Sequence, residues 1–426
     1  MEAHDDSARP IALFIPSLVG GGAERAMLNL AKAFAARGHR VEMVLCRAQG
    51  ALLSEVPASI PVFTLKRSRL TARLAPLVAD VAGFASLLRP VLLARNPATL
   101  RYLLDLTRYL KRRQPRALVC ALTYTNLAGL WARELAGART RVLVSEHIHL
   151  SRDLQDNRNA KNWKWRFVAP LIHRVYPWAD AIVAVSNGVA DDLSRFANLR
   201  RSRIVTIYNP MVNAELLEKA KVPVDHPWFA PGAPPVILGA GRLETQKDFP
   251  TLLKAFARVC ARREARLIIL GEGREEERLR ALARELGVAS QVDLPGFTLN
   301  PYAYMARAAV FVLSSAWEGL PLVPAEAMAC GCPVVSTDCP SGPAEILEGG
   351  VYGPLVPVGD HEAMANAIAS MLDQPPDRER LRARAAEFSV ERAAKLYLDL
   401  IFDAGSGVQR LDYEDGIIAT DHRTQP

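Results

Sequence analysis

The sequence predicts an α/β protein made of two doubly wound parallel-sheet domains, and three observations predict it. The 426 residues exceed one ordinary core and suit two domains of about 200 residues each. Short apolar runs alternate with helix-patterned stretches, as consecutive βαβ units require. A proline-rich stretch near residues 212–235 divides these runs into two separate series.

The first series opens with the run IALFI at 11–15, which stops at Pro16. Gly20, Gly21 and Gly22 follow, and then a helical pattern from Ala23 to Arg37 with Met27, Leu30 and Phe34 on one face. Gly38 ends that helix and Val41–Cys46 reads as the next strand. Further strand-like runs are Ala117–Leu122, Arg141–Ser145 and Ala181–Val185. Pro223, Pro227, Pro231, Pro234 and Pro235 then break the periodicity, which reads as an interdomain connection. The second series is Pro235–Leu238, Leu267–Leu270, Gln291–Leu294, Val310–Leu313 and Val334–Ser336. Helical stretches at Thr251–Arg262, Glu275–Leu286 and Pro324–Met328 separate them, and an amphipathic helix at Val390–Phe402 comes last. The expected organisation is therefore a first domain at 9–212, a linker at 213–235, a second domain at 236–387, a final helix at 388–403 and a polar tail at 404–426.

Half of the chain is hydrophobic and 23% is charged, which excludes a disordered class. The six cysteines (Cys46, Cys120, Cys260, Cys330, Cys332, Cys339) contain no CxxC pair, so a disulfide framework is not expected and a reducing compartment is. Cys330, Cys332 and Cys339 lack a nearby histidine and flank the strand-like VVST, so they read as packing residues and not as metal ligands. The opening residues are acidic and polar, unlike a secretory leader. The longest apolar candidate, Leu74–Leu88, is too short to span a bilayer, contains Asp80 and stops at Arg89.

The formal charge of +8 is unevenly placed. Residues 60–116 hold twelve Lys or Arg against Asp80 and Asp105, so this segment alone exceeds the net charge of the whole chain. A basic field interleaved with leucines suits an anionic surface. Leu100, Leu103, Leu104 and Leu110 can share a helix face flanked by Arg101, Arg108, Lys111 and Arg112. Such a face lies on an anionic membrane or packs as an ordinary helix against a sheet, and both readings stand at this point. Nucleic acid is not expected, because no aromatic interleaving or recognition module accompanies the charge.

Three loops carry groups able to hold a diphosphate. The Gly20–Gly22 turn precedes a helix, so backbone can approach an anion and helical N–H groups can face it. It lacks GxGxxG spacing and the GK[ST] pair, so neither a dinucleotide nor a Walker-type site is indicated; the same turn also serves as a plain structural device. Arg242 and Lys247 follow a predicted strand end, where open sheets bind ligands, and their two cations can clamp adjacent phosphates. A solvated turn is the competing reading. Glu318 is expected in a loop and Glu326 in the helix that starts around Pro324, and each carboxylate can accept two sugar-hydroxyl hydrogen bonds. Glu326 lies among Leu322, Val323, Ala325, Ala327, Met328 and Ala329, where a carboxylate needs a partner or ligand. The Gly319–Leu320 backbone can add N–H donors, and Ser341, Gly342, Pro343 and Glu345 form another polar loop on the same rim.

These pieces resemble the retaining glycosyltransferases of GT-B architecture, a large family that includes bacterial lipopolysaccharide, capsule and lipid-linked-saccharide enzymes. The likeness is carried by GGAERAMLNLAKAFAARGHRV (21–41), VSEH (144–147), VSNGVADDL (185–193), IYNP (207–210), GRLETQK (241–247), LIILGEGRE (267–275), LPGF (294–297) and SSAWEGLPLVPAEAMACGCPVVSTDCPSGPAEIL (314–347). The most specific element is Glu318 with Glu326 in the EGLP…EAMACG setting.

The resemblance implies two Rossmann-like domains across a cleft, with the donor on the second, the acceptor on the first, and Val390–Phe402 crossing back. It implies that Arg242 and Lys247 bind the donor diphosphate, Glu326 the ribose, and that Glu318 lies near the transferred sugar. Gly21 and Gly22 fall near the diphosphate and acceptor, and His147 is similar to the cleft histidine on the donor sugar. Gly319 and Leu320 supply backbone contacts, and loops 271–273 and 296–302 with Tyr302 are candidates for the base. No metal or other cofactor is implied. The implied reaction moves a hexose or N-acetylhexosamine, with UDP-sugar favoured, onto a lipid-linked or envelope saccharide at the cytoplasmic face of a membrane. A non-hydrolysing sugar-nucleotide epimerase and an inactive saccharide-binding subunit remain alternatives. Asp248 departs from the family, where a glycine often follows the lysine.

Overall fold

A computed structural model describes residues 9–68, 79, 98–155 and 168–402. Two parallel sheets carry the molecule. The first contains β1 (Ile11–Ile15), β2 (Val41–Leu45), β3 (Val62–Thr64), β4 (Ala117–Ala121), β5 (Arg141–Glu146), β6 (Ala181–Ala184) and β7 (Ile204–Thr206), ordered β3-β2-β1-β4-β5-β6-β7. The second contains β8 (Val236–Ala240), β9 (Arg266–Leu270), β10 (Val292–Gly296), β11 (Val310–Leu313), β12 (Val334–Thr337) and β13 (Leu355–Val356), ordered β10-β9-β8-β11-β12-β13.

The central strands are apolar along their whole length because helices cover both faces of each sheet. That double cover is what made them visible as short uninterrupted runs. Strand order reverses between β1 and β4 and again between β8 and β11. At such points neighbouring loops diverge and leave a crevice beyond the strand ends, where open α/β sheets bind ligands.

The final helix, Val390–Phe402, buries Val390, Ala393, Ala394, Tyr397 and Ile401 in the core of the first sheet. Its approach is pinned where Met211 N and Val212 N donate to Phe388 O at 3.0 and 3.1 Å. At its far end Phe402 stacks on His39 with ring centroids 5.2 Å apart.

Three local expectations need correction. The proline-rich stretch contains a helix, Ala214–Lys221, capped by the Asn213 side chain, which accepts from Leu216 N at 2.8 Å. The prolines begin only after that helix ends, so they terminate it instead of preventing it. The helix bearing Glu326 runs Leu322–Ala329 and starts two residues before Pro324, since a proline in the first turn costs no intrahelical hydrogen bond.

The third correction concerns the basic leucine-rich segment. In the helix Leu103–Arg113, Leu103, Leu106 and Leu110 are fully buried in the first domain's core, and Leu100 is 5% exposed. The leucine face therefore packs inward, and only the cationic side faces out. Tyr109 Oη donates to Glu42 Oε2 at 2.6 Å and Arg113 pairs with the same carboxylate, tying this helix to β2. Apart from residue 79, the candidate run Leu74–Leu88 lies outside the described residues, as does the tail from 403. No helix among the described residues is long and apolar enough to cross a membrane.

Candidate active site

Loops that follow four strands, β1, β5, β8 and β11, converge on one cavity of about 730 Å³ between the sheets. β1 delivers the glycine turn, β5 delivers His147, β8 delivers Arg242 and Lys247, and β11 leads to Glu318. Gly21, Gly22, His147, Arg242, Lys247, Glu318, Gly319, Leu320 and Glu326 all line this cavity, so the residues singled out from sequence come together.

The second domain supplies a preformed ion pair. Lys247 Nζ donates to Glu318 Oε1 at 2.5 Å, and Ser315 Oγ donates to the same oxygen at 2.6 Å. The lysine side chain is 15% exposed and the carboxylate side chain 8%, so the pair is largely removed from water. The lysine backbone is held too, because Lys247 O accepts from Ser314 Oγ at 2.7 Å. An ammonium has three N–H donors, so one bond to Glu318 leaves others for an anion in the cavity. Next to it, Asp248 takes a left-handed backbone (φ 44°), and its carboxylate accepts from Thr251 Oγ1 at 2.7 Å. A glycine would take this conformation freely, and aspartate is among the few other residues that tolerate it.

Glu326 is 3% exposed and accepts a hydrogen bond from Tyr302 Oη at 3.3 Å. Tyr302 was expected near the base; its hydroxyl points to this carboxylate instead. Gly271, Glu272, Phe297, Thr298 and Pro301 of the loops suggested for the base do line the cavity. Gly271 is obligatory: it has φ 136°, and a Cβ there would lie 1.9 Å from Gly241 O.

Burial raises the Glu326 carboxyl from 4.5 to about 7, against the opposing pull of Arg25 and the Tyr302 hydrogen bond. The protonated form is thus favoured by folding. Its contribution to stability is complete below the ordinary carboxyl range and disappears as pH rises through about 7. Glu326→Gln mimics the neutral form, so its stability relative to wild type should rise between pH 5 and pH 7 by up to about 1.4 kcal/mol per pH unit. Urea denaturation across that range measures this, and a flat difference would contradict it.

Behind His147, Glu146 is fully buried and accepts from Thr123 Oγ1 and Asn126 Nδ2, both at 3.0 Å, and from Tyr176 Oη. Burial lifts its carboxyl to about 7. His147 itself is pushed down to about 4 by burial, so its imidazole is neutral at pH 7.

Sequence reasoning missed how the two halves meet. Glu345, from the loop expected on the rim, accepts from Asn187 N at 2.8 Å and Gly188 N at 2.9 Å, at the start of the first-domain helix Asn187–Phe196. Ser186 Oγ donates to Gly319 O at 2.8 Å, and Asn209 Nδ2 donates to Leu320 O at 3.1 Å. Glu24 lies in the GGAER string. Its carboxylate folds back over Gly21, 2.2 Å from where a Cβ would stand, and feels the charge of Arg242 across the cleft. The sequence signals for these contacts were the polar loop holding Glu345 and the VSN, IYNP and GGAER strings, whose polar residues sit beside strand ends.

Comparison with known proteins follows the same division. The family described as Glycosyltransferase Family 4 matches residues 20–212, and that described as Glycosyl transferases group 1 matches residues 225–388. The N-acetylgalactosamine-N,N'-diacetylbacillosaminyl-diphospho-undecaprenol 4-alpha-N-acetylgalactosaminyltransferase of Campylobacter jejuni is 32% identical over 265 residues, covering 62% of this chain and 69% of that protein. The lipopolysaccharide core biosynthesis glycosyltransferase LpsE of Rhizobium meliloti is 33% identical over 227 residues, covering 52% of this chain and 64% of its own. Among solved structures, HepE of Anabaena in complex with UDP and glucose superposes with a TM-score of 0.68 at 21% identity, covering 92% of this chain and 98% of that one.

Proposed function

This chain belongs to the glycosyltransferases of GT-B architecture, and from that premise we propose that its cleft transfers a hexose or N-acetylhexosamine from a UDP-sugar, with retention, to a hydroxyl of a lipid-linked or envelope saccharide. The observation that carries the reading is the Lys247–Glu318 pair, held beside Arg242 in a cavity whose opposite wall is the Gly21–Gly22 turn and His147. The diphospho-undecaprenol saccharide named for the Campylobacter relative, the lipopolysaccharide core biosynthesis named for the Rhizobium one and the UDP bound by HepE support the choice of substrates.

In this reading the diphosphate lies between Arg242 and Lys247, which take up the charge that grows on the leaving group as the glycosidic C–O bond breaks. Glu318 keeps the ammonium aimed, so little reorganisation is needed in the transition state. The Gly21 and Gly22 N–H groups face the same anion from the first domain. Glu326 accepts from the ribose hydroxyls, Gly319 and Leu320 bring backbone to the sugar, and His147 contacts the sugar from across the cleft. The acceptor hydroxyl attacks the anomeric carbon on the leaving-group face, and a phosphate oxygen takes its proton. These two cations supply the charge neutralisation from the chain itself.

UDP-, GDP- and ADP-sugars tested by thermal shift, followed by product analysis with lipid-linked saccharides, examine the proposal. UDP-sugar should stabilise the protein most, UDP should appear only when acceptor is present, and the new linkage should keep the donor's anomeric configuration. Formation of an isomeric nucleotide sugar without acceptor would establish the epimerase alternative. Absence of both, with saccharide still bound, would establish the binding subunit.

We also propose that the enzyme works at the cytoplasmic face of a membrane, held by charge. Lys66, Arg67, Arg108, Lys111 and Arg112 are exposed on one domain. Because the leucines are in the core, this attraction is electrostatic and should fade with salt. Flotation with anionic but not neutral vesicles at low ionic strength is expected; equal behaviour would defeat the idea.

A further inference from the structure

We propose that Glu24 is a resident anion of the donor site: in the donor-free protein its carboxylate occupies the ground at Gly21 that the donor diphosphate needs, and the diphosphate binds by displacing it. This rests on the reading that the diphosphate lies between Arg242, Lys247 and the Gly21–Gly22 turn. Glu24 is in the first turn of the helix Gly22–Ala36, whose N-cap is Gly21. Its side chain turns back over that cap, so that Oε2 lies 2.2 Å from where a Cβ on Gly21 would stand. The absence of a side chain there is what leaves room for the carboxylate. Glu24, Gly21, Gly22 and Arg242 all line the cavity.

The second domain closes over this turn. A Cβ on Gly20 would meet the Phe297 ring at 3.6 Å, and one on Gly22 would meet Leu322 at 3.6 Å. Burial pushes the Glu24 carboxyl up, while its own backbone N–H, the Arg242 charge and the Gly21 N–H favour the charged form. Those are the groups that an incoming phosphate would use at a helix start. The donor-free cleft is therefore charge-balanced. Lys247 is paired with Glu318 of its own domain, and Arg242 faces the charge of Glu24 from the opposite one.

Two anions cannot share these groups. A diphosphate set on the Gly21 N–H beside a stationary Glu24 would bring like charges into contact in a region depleted of water. Glu24 can leave by side-chain rotation alone, with no change in the backbone. The exchange favours a diphosphate, because it replaces Glu24 at Gly21 and Arg242 and also takes up donors that Lys247 leaves unused beside Glu318.

Isothermal titration of the full chain with UDP, and with uridine as the ligand that lacks phosphate, tests this. Glu24→Gln keeps the side-chain length and a carbonyl acceptor for the helix start but removes the charge. It should bind UDP roughly tenfold more tightly than wild type, a factor that corresponds to about 1.4 kcal/mol, and uridine equally well. If the glutamine variant does not fold, Glu24→Ala takes its place and should show the same direction of change. A glutamate that merely caps the helix, reaching back from the first turn to the N-cap N–H, gives a lower melting temperature and unchanged UDP affinity. That result overturns the proposal, as does weaker UDP binding or an equal gain for uridine. Lys247→Ala is the control for the underlying reading. If it weakens UDP binding while Glu24→Gln leaves it unaltered, the diphosphate site stands and the displacement falls. If UDP affinity responds to neither substitution, both fall.

Discussion

Lys247→Ala is expected to lower kcat at saturating donor by a factor of about 10²–10³, the usual effect of removing one preorganised group that stabilises developing negative charge. The size follows from geometry. Lys247 Nζ is fixed at 2.5 Å from Glu318 Oε1, and its side chain is 15% exposed, so its charge acts in a region depleted of water. Stability also falls, because the Glu318 carboxylate keeps only the Ser315 hydroxyl at 2.6 Å. Breaking a buried pair by deleting one partner costs on the order of 3 kcal/mol. Activity and melting temperature must therefore be measured together, and the activity loss must persist well below the variant's melting point. Turnover within threefold of wild type would eliminate the charge-neutralising role.

Gly319→Ala is expected to lower kcat/KM by about 10² while each half keeps its fold. A Cβ at Gly319 would stand 2.0 Å from His147 O and 2.7 Å from its carbonyl carbon. Both are backbone atoms that cannot swing aside, so the two walls of the cleft must part. Misplacing a reacting group by about 1 Å costs on the order of 10²-fold. The neighbouring bridges, Ser186 to Gly319 O and Asn209 to Leu320 O, would stretch with it. Steady-state kinetics with the melting temperature measured in parallel decides the matter. Wild-type turnover would mean that this close approach is absent from the working enzyme.

The fold was legible because its strands are buried on both sides. IALFI, ALVCA, VILGA and VFVL read as continuous apolar runs, and glycine or proline marks many of the strand ends. β3, β7 and β13 escaped notice because a strand of two or three residues at a sheet edge has no such run; Val62 and Thr64 are exposed. The helix Ala214–Lys221 was hidden by the prolines that follow it, although Asn213, Glu215 and Lys219 carried the usual end signals.

At the site, residues on loops after central strands could be found, since topology sends all such loops to one rim. Side-chain direction could not. Leucines spaced for a helix face say nothing about which side that face meets, and here Leu103 and Leu110 meet the core. Tyr302 lies near the base loops in sequence, yet its hydroxyl turns to Glu326. Contacts between halves, such as Glu345 with the start of the helix Asn187–Phe196, depend on how two domains close and leave no local pattern.

The most direct test of the charge-neutralising cleft is a crystal structure with UDP bound. The account predicts the diphosphate within hydrogen-bond reach of Lys247 Nζ and the Arg242 guanidinium, its far side against Gly21 and Gly22, and the ribose on Glu326. Nucleotide bound outside this cavity, with both cations directed to bulk solvent, would contradict it.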